Sequence, residues 1–270
     1  MDIFLQQWEV GRRRWSWIGI TRGGVDGFLS MRGLAGPGAW EVDCLVLAPS
    51  SGSLEVALSL LGAASLSAGQ RGVKRLYIRF PSDSSLLDSV QQSGFVPYIR
   101  EVLYRSVEPI SPLSLPSAYM LRRRASEDDH SLFHLYLEAV PGAVRRGFGM
   151  TLDEWQEAFS VVGRGYWERL CFKDGALVGW LGVVKRGKRG LVDVMSKPGE
   201  DEVVPFLLGQ GASAVEGEVL VWAPHFHGRL RQVLEENAFE SLGECTALVK
   251  SLAARVTHSG LVPAHAGWCG

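Results

Sequence analysis

The stretch YIRFPSDSSLLDSVQQSGFVPYIREVLYR, from Tyr77 to Arg105, recurs in altered form as LVWAPHFHGRLRQVLEENAFESLGECTALVK, from Leu220 to Lys250. Both read as a strand ending in proline, an amphipathic helix, a Gly-Phe or Ala-Phe stop and a second strand. Pro81 matches Pro224 and Phe95 matches Phe239, with a one-residue indel between them. Upstream, WSWIGITRGGVDGFLSM matches ERLCFKDGALVGWLGVV as strand, Gly-containing tight turn and strand, and Gly27 corresponds to Gly179. A period of about 145 residues is too long for a solenoid and predicts two homologous domains. Between the copies, VEPISPLSLPS carries Pro109, Pro112 and Pro116, which remove three backbone donors and favour an extended linker. The expected division is a truncated first domain over 1–106, the Pro-rich linker over 107–117, a full-length second domain over 118–254 and a C-terminal tail over 255–270.

Such a division needs enough apolar residues for a substantial core, and 46% hydrophobic residues with nine tryptophans supply them. A formal net charge of −1 gives no global reason to expect a nucleic acid or an anionic membrane as partner. The N-terminal MDIFLQQWEV has no apolar run of signal-peptide length, and no uninterrupted apolar stretch is long enough to span a bilayer. Cys44, Cys171, Cys245 and Cys269 form no C-x-x-C pair, and three of them lie in strand-like apolar runs that suit buried reduced thiols. A cytoplasmic protein is the expectation. His225 and His227 in HFH have no third ligand at suggestive spacing, so they read as a helix-entry turn and no metal is expected.

In the first copy the order is strand (15–21), strand (25–32), strand (40–48), helix (53–69), strand (74–80), helix (83–93) and strand (95–105). The second copy opens with the strand YMLRRRA, the helix EDDHSLFHLYLEAV, and the helix LDEWQEAFSVV behind a Thr151-x-x-Glu154 capping box. It then repeats the pattern to residue 250. Antiparallel strands followed by strand–helix–strand–helix–strand predict a mixed α/β sheet with helices on its faces. This order, the Pro-ended strand and the Gly-Phe or Ala-Phe helix stop resemble the GNAT acyltransferase superfamily, whose members move an acyl group from acyl-coenzyme A to an amine. The resemblance covers nearly the whole chain as a tandem pair of GNAT-like domains, an intramolecular pseudo-dimer. It implies acetyl-coenzyme A or another acyl-coenzyme A as cosubstrate and a small-molecule amine as acceptor. The first copy departs from the family pattern: MDIFLQQWEVGRRR is too short for the opening strand and two helices that help form the acceptor cleft.

The family places Arg/Gln-x-x-Gly-x-Gly/Ala after the central strand, where backbone amides and a helix N-terminus hold the coenzyme A pyrophosphate. Here the first copy reads PSSGSLEVALSLL, which puts Gly52 at the basic position, Glu55 at the middle glycine and Ala57 at the last. Ser51, Gly52 and Ser53 still form a neutral, donor-rich helix entry that favours an anion, although the same residues also make an ordinary turn with a serine N-cap. In the second copy VMSKPGEDEVVPFLL carries Glu200, Asp201 and Glu202, which suit a helix N-terminus and occupy the field a pyrophosphate would use.

Acyl transfer to an amine needs a base for the ammonium proton and donors for the developing oxyanion. The resemblance also implies a tyrosine acid four residues before the glycine of Gly-Phe, but Val90 and Leu234 stand there. For the base, the central strands offer Glu41 and Asp43 in the first copy and Asp193 in the second. Asp193 sits in the apolar run LVDVM, where a carboxylate must have a partner or face a cavity. Asp193 is the catalytic candidate and Ser51, Gly52 and Ser53 are the cosubstrate-binding candidates. The readings are an N-acetyltransferase or a catalytically silent module that binds a metabolite or a protein partner. A third, the same fold with an aminoacyl-tRNA donor, is opposed by the near-neutral charge.

Overall fold

The structure, a computed structural model of the chain, describes residues 4–9, 14–21, 24–34, 38–49, 52–108, 114, 117–148, 151–159 and 165–252. The first half runs β1 (Phe4–Glu9), β2 (Arg14–Thr21), β3 (Gly24–Gly33), β4 (Ala39–Leu47), α1 (Ser53–Gln70), β5 (Arg75–Pro81), α2 (Leu87–Gln92) and β6 (Val96–Ser106). The second half opens with β7 (Tyr119–Arg122), α3 (Asp129–Ala139), α4 (Gly142–Phe148) and α5 (Leu152–Phe159). It continues through β8 (Tyr166–Lys173), β9 (Ala176–Arg186), β10 (Arg189–Ser196), α6 (Val204–Ser213), β11 (Glu218–Pro224), α7 (Gly228–Glu236) and β12 (Glu240–Ser251). The mixed α/β succession expected from the sequence therefore occurs twice. The opening strand is a correction: β1 pairs antiparallel with β2, so the first copy has the strand it was expected to lack. Six residues suffice for an edge strand that takes its hydrogen bonds from one neighbour, whereas the interval between β1 and β2 leaves no room for the two helices.

The twelve strands among the described residues form one sheet, ordered β1-β2-β3-β4-β5-β12-β6-β11-β10-β9-β8-β7. The last strand of each copy is paired outside its own copy. β12 lies between β5 and β6, with Ser251 opposite Arg75 and Cys245 opposite both Pro81 and Glu101. β6 in turn pairs with β11, from Ser106 opposite Val219 to Glu101 opposite Pro224. Register shifts between Ser241 and Gly243 and between Ala247 and Leu248 bulge β12, and bulges bend and twist a strand.

The two parallel pairs match each other closely. β4 pairs with β5 only from Ala39–Arg75 to Val42–Ile78, and β10 pairs with β11 only from Arg189–Glu218 to Val192–Val221. Beyond these four-residue ladders the strands continue but separate, and the first residue past the ladder is Asp43 in one copy and Asp193 in the other. Each copy thus contains a V-shaped gap that opens at a carboxylate.

Three apolar cores hold the layers. On one face of the sheet α1 and α2 cover Leu29, Leu76 and Ile78, while α6 and α7 cover Leu181, Val192 and Val221. On the opposite face α3, α4 and α5 cover Ile99, Leu170 and Ala247. The paired glycines of the repeat explain how the long helices seat. A Cβ added to Gly27 would lie 2.7 Å from Val56 Cγ1 and 2.8 Å from Leu60 Cδ1, and one on Gly179 would lie 2.9 Å from Leu207 Cδ1. Both are positions where helix and strand approach too closely for a side chain.

Overpacking this contact with Gly27→Val should lower stability by about 1–3 kcal/mol in denaturant unfolding. Gly62→Ala, in open space on the same helix, should raise it by about 0.5–1 kcal/mol. Equal effects would show that the glycine contact does not control the seating of α1. The strand exchange is tested by cutting the chain at a protease site engineered between 109 and 113. The two pieces should co-elute in native gel filtration, because each retains the other's last strand, and their separation would contradict the pairing.

Candidate functional site

The sheet face away from α1 and α6 forms the floor of a cavity of about 1020 Å³, roofed by residues of α3, α4 and α5. Both V-shaped gaps open onto it, since Asp43 and Arg79 of the first copy and Asp193 and Trp222 of the second all line it. The copies meet at Arg79, whose Nη1 donates to Glu41 Oε1 at 2.7 Å and whose Nε donates to Glu101 Oε2 at 2.8 Å. The guanidinium also lies over the Trp222 ring, 5.2 Å from its centroid. Along the sheet β12 and β6 separate β5 from β11, so this contact draws on the length of the Arg79 side chain. Burial alone would lower the Arg79 pKa, but Glu101, Tyr98 and Glu41 more than offset it and fix the group as a cation.

The roof is fastened to the floor of the other copy. Tyr77 Oη donates to Phe148 O at 2.9 Å, and Arg75 donates through Nη1 to Phe148 O at 3.1 Å and through Nη2 to Glu154 Oε1 at 2.9 Å. Apolar side chains finish the roof, among them Leu132, Val140, Phe148 and Trp155.

Five carboxylates face this space, and four are committed. Glu41 accepts from Arg32 and Arg79, Asp43 from Arg14 and Ser30, and Glu101 from Arg79. Glu168 accepts from Trp180 Nε1 at 2.8 Å, Tyr166 Oη at 3.0 Å and Arg124 Nη1 at 3.1 Å. Asp193 is different. Among the described residues its favourable hydrogen bond is from the Val194 backbone and no side chain pairs with it; it is exposed to the cavity, though the protein packed around that cavity keeps much of the bulk water away. This desolvation, with the nearby Glu101 carboxylate, pushes its pKa up to about 7, and Arg79 offsets part of the rise. At neutral pH the group therefore exchanges a proton readily, the property needed of a general base.

No family model matches the chain, and no curated protein matches it. Solved structures do. A GCN5-related N-acetyltransferase from Sphaerobacter thermophilus is similar at 12% identity and a TM-score of 0.59, over 91% of this chain and 82% of that one. A tandem GNAT protein from the clavulanic acid biosynthesis pathway, solved without AcCoA, is similar at 15% identity and a TM-score of 0.55, over 90% of this chain and 84% of that one. The fold is that of the GCN5-related N-acetyltransferases. A further GNAT protein, from Kribbella flavida, is similar at 12% identity and a TM-score of 0.50, over 91% of this chain and 89% of its own.

Within this GNAT fold the two helix entries differ. Gly52 is the N-cap of α1 and has no side chain to cap it, so among the described residues no side chain takes up the first-turn amides of residues 53–55. Gly52 and Ser53 do not line the cavity, and Ser51 lies outside the described residues. In the second copy Lys173 Nζ and Tyr119 Oη each bind Glu200 Oε2 at 2.8 Å, and both also bind Glu202. These bonds hold the Glu200 carboxylate below its usual range and therefore ionised. Pro205 then removes a donor from the first turn of α6.

Val90 and Leu234 are fully buried in the cores beneath α2 and α7, so neither position could present a tyrosine acid to the cavity. His227 caps α7 by accepting from Leu230 N, as a helix-entry turn should, and His225 pairs with Glu244. Arg79, Glu101, Tyr98 and Trp222 are site residues that motif reasoning missed. Arg79 in YIRFP and Glu101 in YIREVLY carry the signal that marked Asp193, a charge inside an apolar strand. Burial, reinforced by the Glu101 and Glu41 carboxylates and opposed by Arg79, keeps the Tyr98 hydroxyl protonated.

The raised Asp193 pKa makes a stability prediction. The ordinary aspartate pKa is 3.8 and the folded value is about 7, so the unfolded chain releases this proton first as pH rises. The resulting penalty is absent below about pH 4, grows towards pH 7 and is complete above it. Asp193→Asn should therefore stabilise the protein at pH 8 by about 1–2 kcal/mol, less than the full linkage value because cavity water screens the charge. The gain should disappear near pH 4 in denaturant titrations, and a gain independent of pH would contradict the assignment.

Proposed function

We propose that the chain is an acyl-coenzyme A-dependent N-acyltransferase, with acetyl-coenzyme A the first donor to test. Its acceptor amine occupies the cavity shared by the copies. The observation that carries this reading is Asp193, the cavity carboxylate without a side-chain partner among the described residues. Asp193 accepts the ammonium proton of the acceptor, leaving the neutral amine as nucleophile. The three guanidiniums lining the cavity, with Arg14, hold the other four carboxylates, so the unpaired negative charge that favours a cationic acceptor is that of Asp193.

The donor supplies the activated thioester. Its pyrophosphate is assigned to the uncapped entry of α1, at Ser51, Gly52 and Ser53, because the α6 entry is filled by ionised glutamates and a proline. The thioester then lies in the gap between β4 and β5, whose facing amides are free of a strand partner beyond Val42 and can donate to the developing oxyanion. With core residues at positions 90 and 234, the thiolate leaves without a tyrosine acid at those positions. The reading treats 1–106 and 118–254 as the two copies, joined by 107–117. Free thiols at Cys44, Cys171 and Cys245 support a reducing compartment such as the cytoplasm.

Transfer from acetyl-coenzyme A to a panel of amines should show kcat/KM rising as pH passes about 7, where Asp193 ionises. Asp193→Asn should lower kcat/KM by about 10²–10⁴-fold. Ser53→Glu, which adds a carboxylate to the α1 entry, should weaken donor binding in calorimetry. The buried Val90 and Leu234 favour a second reading, a silent binding module. Donor binding with no turnover towards any amine would select it, and unchanged donor affinity in Ser53→Glu would reject the α1 entry.

A further inference from the structure

We infer that the cavity selects a primary monoamine carried on an aryl or alkyl body, and discriminates against polyamines, amino acids and polyhydroxylated amines. The inference deepens the proposed acyltransferase reading by naming its acceptor class, and it rests on how the walls divide the charge.

One wall is the sheet, and it offers a single open ionic seat. Four of its five carboxylates already hold cations or neutral donors, so among the described residues Asp193 is the one left to receive an ammonium. Among the described residues no lining guanidinium is open to a carboxylate. Arg32 is bound to Glu41, Arg79 to Glu41 and Glu101, and Arg124 to Asp129 and Glu168. A carboxylate on the ligand would meet the ionised Asp193 with every lining guanidinium already paired. An amino acid is therefore penalised relative to its decarboxylated amine.

The facing wall is apolar. Leu132, Val140, Phe148, Trp155 and Phe226 line it, and Met195 extends it from the β10 side. A second ammonium on the ligand would be set against these groups without a counter-charge, and burying an unpaired charge is costly. A row of hydroxyls would lose water there without gaining partners. An aromatic ring or alkyl chain gains free energy from the same contact in proportion to the area it buries. A cavity of about 1020 Å³ has room for such a body beside the amine. The distribution of partners therefore fixes the ligand as cationic at one end and apolar at the other.

The test is calorimetric titration of the whole protein at pH 8 without any acyl donor. The probes are tryptamine, 2-phenylethylamine, octylamine, tryptophan, spermidine and indole-3-ethanol. At least one of the three monoamines should bind, and more than tenfold tighter than tryptophan or spermidine. Asp193→Asn should weaken that monoamine at least tenfold and leave indole-3-ethanol, which lacks the ammonium, unaffected. A thermal melt on the same variant confirms that it folds. No binding by any of the three monoamines, spermidine or tryptophan binding as tightly, or an unchanged affinity in Asp193→Asn would each overturn the inference. Failure of the two proposals is distinguishable. Monoamine binding with no transfer from any donor removes the acyltransferase reading and leaves this selectivity, whereas efficient transfer to spermidine keeps the transferase and removes the selectivity.

Discussion

Without β12, the edge of β5 from Arg75 to Pro81 would present a row of unpaired amides and carbonyls, and without β6 so would β11. Such edges are satisfied by another strand, by water or by aggregation. Here each copy supplies the strand that the other lacks. The exchange merges two sheets into one, and the merger gives the two V-shaped gaps a common face. Everything assigned to the cavity depends on that face: Arg79 lies over Trp222, Glu101 raises the pKa of Asp193, and the roof of the second copy is bound to Arg75 and Tyr77 of the first.

Duplication has not produced two equal sites. The carboxylates at the mouths of the gaps are related by sequence position, yet Asp43 is paired with Arg14 and bonded by Ser30, while Asp193 has no such side-chain partner among the described residues. The helix entries differ in the opposite sense, with an uncapped α1 and an α6 whose approach is occupied by Glu200 and Glu202. One copy has kept features suited to an anion and the other a proton acceptor. In the proposed reading one anion seat at the α1 entry and one base in the cavity serve the whole chain.

The sequence showed much of the fold because the repeat is carried by backbone-determining residues. Pro81 and Pro224 end strands, Phe95 and Phe239 close the turns after helices, and Gly27 and Gly179 admit helices to within contact distance. The exchange was not legible, because β6 and β12 have similar apolar patterns and nothing local tells a strand which β5-like edge it will join. β1 was hidden by its brevity. Asp193 was legible as a carboxylate in an apolar run. Its neighbours Arg79 and Glu101 come from distant segments and acquire their role only when β12 joins β5 to β6. Ser51 falls outside the described residues, so its place in the α1 entry still rests on the pattern PSSGS.

The position of β12 also governs the order in which the protein can be made. β5 and β6 are synthesised early, yet the strand between them follows all the other described elements, and Arg75 must wait for Ser251. At about 5–20 residues per second on a ribosome, the first half exists for roughly seven to thirty seconds with its central gap unfilled. Pairings so distant in sequence are reached slowly even after release, because a long loop must close before any contact compensates for its entropy. The nascent first half is therefore the species most in need of a chaperone, and mutations that slow β12 docking would reduce soluble yield before they altered the finished molecule.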